Sequence, residues 1–259
     1  MTVTAAGSNE LALGRDYTIS YSGNKKVGTG SYTVKFIGNY KGHKALKGTF
    51  AIKKAPMDEA EVVTPWMIYK KPGKYLSAPY VSVGGVQLKA SEYTVKYYEG
   101  DVTDVTAEGV KELTSKDKLS LDGGETSKTV TVVVTANEKN FTGTARGTYE
   151  VVKPVANAID LSKAKIVAKN KNAKGKDVNV GKQEYTGEAI EPEIRVLVRQ
   201  DKQWKEVDPS DYSVTYINNV NKGKAVILIN GNGDDTVGSK TVKFSITTMK
   251  MSLFKLIFE

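Results

Sequence analysis

The 259 residues are 39% hydrophobic and 26% charged, a balance that fits a folded chain and excludes a disordered one. No stretch reaches the ~18 apolar residues of a membrane-crossing helix, and one histidine (His43) with no cysteine leaves little material for metal or thiol chemistry. Lys and Arg outnumber Asp and Glu by 38 to 29, a formal charge of +9 that raises the question of an anionic partner.

Met1-Thr-Val-Thr-Ala-Ala-Gly7 has neither the basic nor the apolar region of a signal peptide. The first patterned segment is Asp16-Tyr-Thr-Ile-Ser-Tyr21. It is followed by Asn24-Lys-Lys-Val-Gly28, by Gly38-Asn-Tyr40-Lys-Gly42, and by Gly48-Thr-Phe-Ala-Ile52. The same landmarks return more loosely as Glu92-Tyr-Thr-Val-Lys-Tyr97, Asn140-Phe-Thr-Gly143 and Gly147-Thr-Tyr-Glu-Val-Val152. They return closely as Asp211-Tyr-Ser-Val-Thr-Tyr216, Asn218-Asn-Val-Asn-Lys-Gly223, Gly231-Asn-Gly-Asp-Asp235 and Val242-Lys-Phe-Ser-Ile246. A repeat of this kind decides the architecture before any single segment does.

Within each copy apolar and polar residues alternate, as in Tyr17/Ile19/Tyr21 against Thr18/Ser20, or Val242/Phe244/Ile246 against Thr241/Lys243/Ser245. A period of two in short Val/Ile/Tyr/Thr runs predicts half-buried strands. Asn- and Gly-rich clusters between them supply the positive φ that tight hairpins require. The best helix-period segment is Thr106–Lys118, in the middle copy only. Pro56 and Pro154 directly follow closing strands and mark the joints. The reading is therefore all-β, with tandem β-sandwich modules arranged as an elongated rod: 1–55, truncated at its N-terminal side; 56–154, with an insertion near 98–128; and 155–248, opening with Tyr185-Thr-Gly-Glu-Ala-Ile-Glu-Pro192. The tail 249–259 matches no repeat, and Leu253–Phe258 is a candidate strand for an open sheet edge.

The pattern Tyr-x-Gly…Pro, Asp-Tyr-x-Val-x-Tyr-x-Asn-Asn, Gly-Asn-Tyr-x-Gly and Gly-Thr-Phe-x-Ile resembles the bacterial Ig-like repeats of large surface proteins from gut Firmicutes. It covers Leu11–Ile52 and Tyr185–Ile246 well and Tyr69–Val152 loosely. The resemblance implies Ig-like sandwiches strung along exported adhesins and wall-attached proteins, acting as spacers or adhesive stalks on the bacterial cell surface. It brings no catalytic residues with it, and a module type does not by itself assign a function.

The residues offer little material for chemistry. His43 lies in the polar turn Lys41-Gly-His-Lys44. The acidic pairs Glu59/Glu61 and Asp101/Asp104 have no accompanying cleft signal, and no nucleophile elbow or phosphate loop is present. The expectation is a non-enzyme with no cofactor. Asn232, Asp234 and Asp235 place oxygen donors in one turn, a weak calcium candidate without EF-hand spacing. Trp204, read as lying at a hairpin tip, and Trp66 are the ligand-binding candidates, since an exposed indole can stack on a sugar or anchor a partner. Lys163–Lys182 holds seven Lys and one Asp; without interleaved aromatics it reads as a solvated face protecting strand edges, or as a contact for anionic polymer, and not as a nucleic-acid site. Lys–Asn isopeptide crosslinks suit a cysteine-free surface domain, though no Lys–Asn–carboxyl trio stands out. The expected role is a stalk or adhesion region of an exported bacterial surface protein, with a host or wall glycan or another surface protein as partner and no membrane insertion. Carbohydrate-binding accessory modules of a wall-attached enzyme, or a phage or virion decoration protein, are the alternatives.

Overall fold

A computed structural model describes residues 2–4, 10–119, 121, 124–153, 156–171 and 177–248. Pro154 and the tail 249–259 lie outside these residues. The chain is all-β, a tandem series of sheet-built modules. Among the described residues the helical elements are four three-residue 3-10 turns.

The first module is an antiparallel meander of β1 (Tyr17–Ser22), β2 (Gly28–Phe36) and β3 (Leu46–Ile52). Its register sets Tyr17, Ile19 and Tyr21 opposite Phe36, Val34 and Tyr32, and continues that face onto Leu46, Phe50 and Ile52. Thr, Ser and Lys occupy the other face, as the period-two pattern requires. Val3 and Leu11 close over Tyr17 and Val34 and make a small core at one end of the sheet. At the other end the Phe50 ring lies over Gly30, where an added Cβ would meet it at 2.5 Å.

The second module runs through β4 (Ala55–Pro56), β5 (Glu61–Val63), β6 (Met67–Ile68), β7 (Tyr80–Val83), β8 (Val86–Gln87), β9 (Tyr93–Glu99), β10 (Glu112–Leu113), β11 (Ser127–Ala136), β12 (Phe141–Thr142) and β13 (Thr144–Val152). A five-stranded sheet, β10-β9-β11-β13-β6, faces a three-stranded sheet, β5-β7-β8. Tyr75, Val81, Val130, Val132, Val134 and Tyr149 fill the space between them. The buried Tyr149 hydroxyl donates to Tyr75 C=O (2.7 Å) and accepts from Ser77 N–H (3.3 Å), while Tyr97 donates to Ser77 C=O (3.1 Å). These bonds satisfy polar groups that would otherwise be costly inside an apolar layer. The helix expected over Thr106–Lys118 does not form. Gly109 is at φ 82°, the Asp104 and Asp117 carboxylates cap local turns at Thr106 and Thr114, and Glu112–Leu113 pairs with β9 as an added edge strand. Local side-chain-to-backbone bonds here outcompete helical ones.

The third module comprises β14 (Ile159–Asp160), β15 (Lys165–Lys171), β16 (Asp177–Asn179), β17 (Lys182–Glu184), β18 (Glu193–Gln200), β19 (Gln203–Glu206), β20 (Tyr212–Ile217), β21 (Gly223–Gly231), β22 (Thr236–Val237) and β23 (Ser239–Thr247). Two four-stranded sheets, β16-β15-β18-β19 and β17-β23-β21-β20, enclose Leu161, Val196, Ile227, Ile229 and Phe244. Tyr185–Pro192 is the loop that leads into β18.

The registers superimpose the repeats: β1, β9 and β20 are equivalent, as are β2, β11 and β21, and β3, β13 and β23. Modules two and three share two parallel pairings, β4 with β12 and β14 with β22 at the entry, and β6 with β13 and β17 with β23 beside the last strand.

Modules two and three meet along an apolar seam. Ile217, Val226 and Leu228 point away from the core of module three and are buried with Val63 and Tyr80 of module two. Polar bonds frame the contact. Trp66 N–H donates to Asn230 Oδ1 (3.2 Å), Ser239 Oγ donates to Trp66 C=O (3.0 Å), and Asn221 Nδ2 donates to Gly85 C=O (3.2 Å). This explains why β21 breaks the alternating pattern: Ala225-Val-Ile-Leu-Ile229 is buried on both faces.

Candidate functional site

Two surfaces bear on function, and each carries one of the tryptophans. On module three the β18–β19 hairpin turns at Asp201–Lys202, both at positive φ, and Trp204 follows on β19 opposite Arg199. It therefore stands on the outer face of a sheet and not at the tip. Val196 and Val198 point into the core, so the alternate residues Arg195, Leu197 and Arg199 point outward with Trp204. The indole is 49% exposed, with Lys165 Nζ 5.6 Å from its ring centroid. Arg195 forms a forked pair with Glu206 (2.6–3.0 Å), whose hydrogen bonds and charge hold the Glu206 carboxyl below its usual range. The result is an aromatic platform flanked by cations. Such a surface can stack on a sugar or aromatic ring and attract an anionic group beside it.

Trp66 is placed differently. Both its backbone groups are bonded to module three, and its ring packs on the core of module two while passing near Gly233. It is a seam residue first. It also borders a cavity of about 390 Å³ at the junction, shared with Ile68, Lys70, Lys71, Lys74 and Ser239. The structure does not bring the two tryptophans together in one cavity.

The turn 230–235 is occupied by its own backbone. Asn232 Oδ1 accepts from Asp234 N–H (3.0 Å) and Thr236 N–H (3.3 Å), and Thr236 Oγ1 donates to Asp211 C=O. Asp234 and Asp235 are exposed. Among the described residues no group of three or more His, Cys, Asp or Glu could hold a metal ion. His43 lies in an exposed turn, edge-on to Phe36 at 6.1 Å. Glu61 accepts from Ser82 Oγ (3.0 Å), and Asp104 is held below its usual range by the Thr106 hydroxyl and N–H.

The seam residues Ile217, Val226 and Leu228 were not among the sequence candidates. For Val226 and Leu228 the signal was the unbroken apolar run 225–229, where the equivalent outer-face positions hold Ser31 and Thr33 in module one and Thr131 and Val133 in module two.

No family model matches the chain, and no curated protein matches it. Among solved structures it is similar to the protocadherin gamma B4 extracellular domain, with 11% identity and a TM-score of 0.24, covering 95% of this chain and 46% of that one. It is also similar to protocadherin gamma B7 extracellular cadherin domains 1–4, with 9% identity and a TM-score of 0.24, covering 90% and 65%. The chain thus spans less than two thirds of either structure. A likeness this distant carries no argument about activity or partners. No helix among the described residues is long and apolar enough to cross a membrane.

Proposed function

We propose that this chain is a non-catalytic stalk and adhesion region of an exported bacterial surface protein, working outside the cell. The observation that carries the reading is the build of the molecule. One β module is repeated, two copies are locked by an apolar seam, and the outward sheet of module three presents Trp204 among Lys165, Arg195 and Arg199. A seam of this kind gives a spacer stiffness that a short linker alone does not. The platform supplies the adhesive contact, toward an anionic host or wall glycan or another surface protein.

The test is binding of the intact chain to a glycan array and to purified anionic wall polymer, with Trp204→Ala alongside. Saturable binding that weakens with salt and falls at least about tenfold in the variant supports the reading. Binding that the variant retains moves the contact elsewhere, and absence of binding to every surface leaves a spacer without an adhesive face. The exposed indole also favours a second reading, a carbohydrate-binding accessory region of a wall-attached enzyme. Preference for a neutral polysaccharide over anionic ones, insensitive to salt, would select it.

A further inference from the structure

The segment Trp66–Tyr75 of module two is fixed at several points. Trp66 is bonded to module three through both backbone groups, Tyr69 N–H donates to Val152 C=O (2.8 Å), and the buried Tyr75 donates its hydroxyl to Asp117 C=O (3.0 Å). Between these anchors the chain turns at Lys71-Pro-Gly-Lys74. Lys74 N–H donates to Lys71 C=O (3.2 Å) and Gly73 is at φ 69°, the turn geometry that a central Pro-Gly pair favours. Gly73 also lies so close to Ser115 C=O that an added Cβ would collide with it. The turn is thereby pressed onto its own module, with Lys71 and Lys74 side by side at its two ends.

This turn borders the junction cavity of about 390 Å³, a size within the roughly 300–1,000 Å³ of small-molecule sites. The walls differ in character. Trp66 and Ile68 supply apolar surface, and Ile68 is seated against Gly238 of module three, where a Cβ would meet it at 2.9 Å. Lys70, Lys71 and Lys74 are exposed, and none is ion-paired among the described residues. On the module-three side Lys240 Nζ donates to Ser162 C=O (2.7 Å) and adds a fourth cation. The Asp160 carboxylate beside Gly238 is engaged by Ser162 N–H (3.0 Å) and by Lys163 (3.3 Å). The field in the cavity is therefore positive.

Clustered lysines attract anions and raise their local concentration. A bare inorganic anion would leave Trp66 and Ile68 facing water, and a neutral sugar would gain nothing from the ammonium groups. A pyranose that carries a carboxylate uses both walls, because its C–H face is apolar and its charge sits at the ring's edge. Apolar lining with a few convergent polar groups is the usual make-up of a small-ligand site.

We propose that the junction cavity binds an acidic sugar unit, a carboxylate-bearing pyranose. Its C–H face lies on Trp66 and Ile68, its carboxylate sits between Lys71 and Lys74, and its far side meets Gly238 and Ser239. The occupant thus touches both modules. This site shares a ligand class with the Trp204 platform but no residue, and stands without it.

The test titrates three probes into the isotope-labelled intact chain and follows backbone amide shifts by NMR: a disaccharide of glucuronate and N-acetylglucosamine, its neutral counterpart with glucose for glucuronate, and inorganic sulfate. The acidic disaccharide should saturably shift the amides of Lys71, Gly73 and Lys74 together with those of Gly238 and Ser239. The neutral sugar and sulfate should each bind at least about tenfold more weakly, the first lacking the charge-assisted bonds and the second the apolar contact. Lys71→Gln combined with Lys74→Gln should cost at least about tenfold in affinity, and both side chains are exposed, so the fold is spared. Trp204→Ala should leave the acidic disaccharide binding as before. Sulfate binding as tightly as the disaccharide would reduce the site to bare charge attraction and overturn the proposal. So would shifts confined to the lysine turn, equal binding of the neutral sugar, or no shift with any probe. Loss of binding in Trp204→Ala would place the sugar on the platform and overturn the junction site alone. Binding at the junction by a chain whose Trp204→Ala variant adheres unchanged would support this site and remove the platform.

Discussion

Leu228 is fully buried, yet it lies on the face of β21 turned away from its own module's core, under Val63 and Tyr80 of module two. Its burial is a product of the seam. Truncating a buried Leu to Ala costs about 2–5 kcal/mol, with the spread set by how far the surroundings can collapse into the space. Two modules that can shift toward each other relax more than a closed core does, so Leu228→Ala in the intact chain belongs near the lower end, about 2 kcal/mol. In a fragment of residues 156–248 the same side chain faces water, and the substitution should cost no more than ~0.5 kcal/mol, as surface changes generally do. Ile227 provides the control, since its side chain points into the core of module three. Ile227→Ala should cost about 2–5 kcal/mol in both contexts. Urea unfolding followed by circular dichroism measures all four differences. The seam reasoning is refuted if Leu228→Ala is as costly in the fragment as in the intact chain.

Other perturbations test separate parts of the structure. Burial pushes Tyr75 up to about 12 and also raises Tyr149, whereas an unfolded tyrosine ionises near pH ~10. The folded state thus favours the neutral rings, and the stability this provides is intact below about pH 10 and is lost as pH rises toward and through 12. Phenolate absorbance read beside circular dichroism should show the last tyrosines ionising together with loss of the β signal; complete ionisation with the fold intact would contradict this. Gly147→Ala places a Cβ 2.5 Å from Val62 C=O, between β13 and β5. The overpacking should cost about 1–3 kcal/mol in denaturant unfolding, while alanine at Gly30, beneath the movable Phe50 ring, should cost less. Trp204→Ala should change stability by less than about 1 kcal/mol, the worth of an exposed cation–π pair, so a loss of adhesion in that variant can be assigned to the surface and not to unfolding.

Much of the fold can be read from residue order alone. Alternation in Tyr17–Tyr21, Tyr93–Tyr97 and Tyr212–Tyr216 identifies strands because one face of each is buried and the other solvated. The recurring order of landmarks identifies equivalent strands across modules. What residue order conceals is long-range. The parallel pairs formed by Ala55–Pro56 and Ile159–Asp160 are two residues long, too short for any periodicity. The segment 106–118 looked helical because its charges recur at helical spacing, but Asp104 and Asp117 spend their carboxylates on local turns. Trp204 was recognised as a surface candidate, yet its position on the strand depends on a two-residue turn at Asp201–Lys202 with no glycine to announce it. Trp66 looked like a ligand residue because no repeat position explains it. The seam explains it, and the seam joins residues 164 and 173 positions apart.

The parallel entry pairs have a consequence for how the chain responds to being stretched. Residues 55–56 enter module two alongside β12, which leads through a single glycine into the exit strand β13; residues 159–160 enter module three alongside β22 in the same way. When the chain is drawn out by its ends, the entry strand is dragged one way and the body holding its partner the other. The two slide lengthwise, so the hydrogen bonds between them resist in shear and share the force, where an antiparallel pair pulled from one end would unzip a bond at a time. The modules are threaded so that tension meets its first resistance in the geometry where a few hydrogen bonds act together.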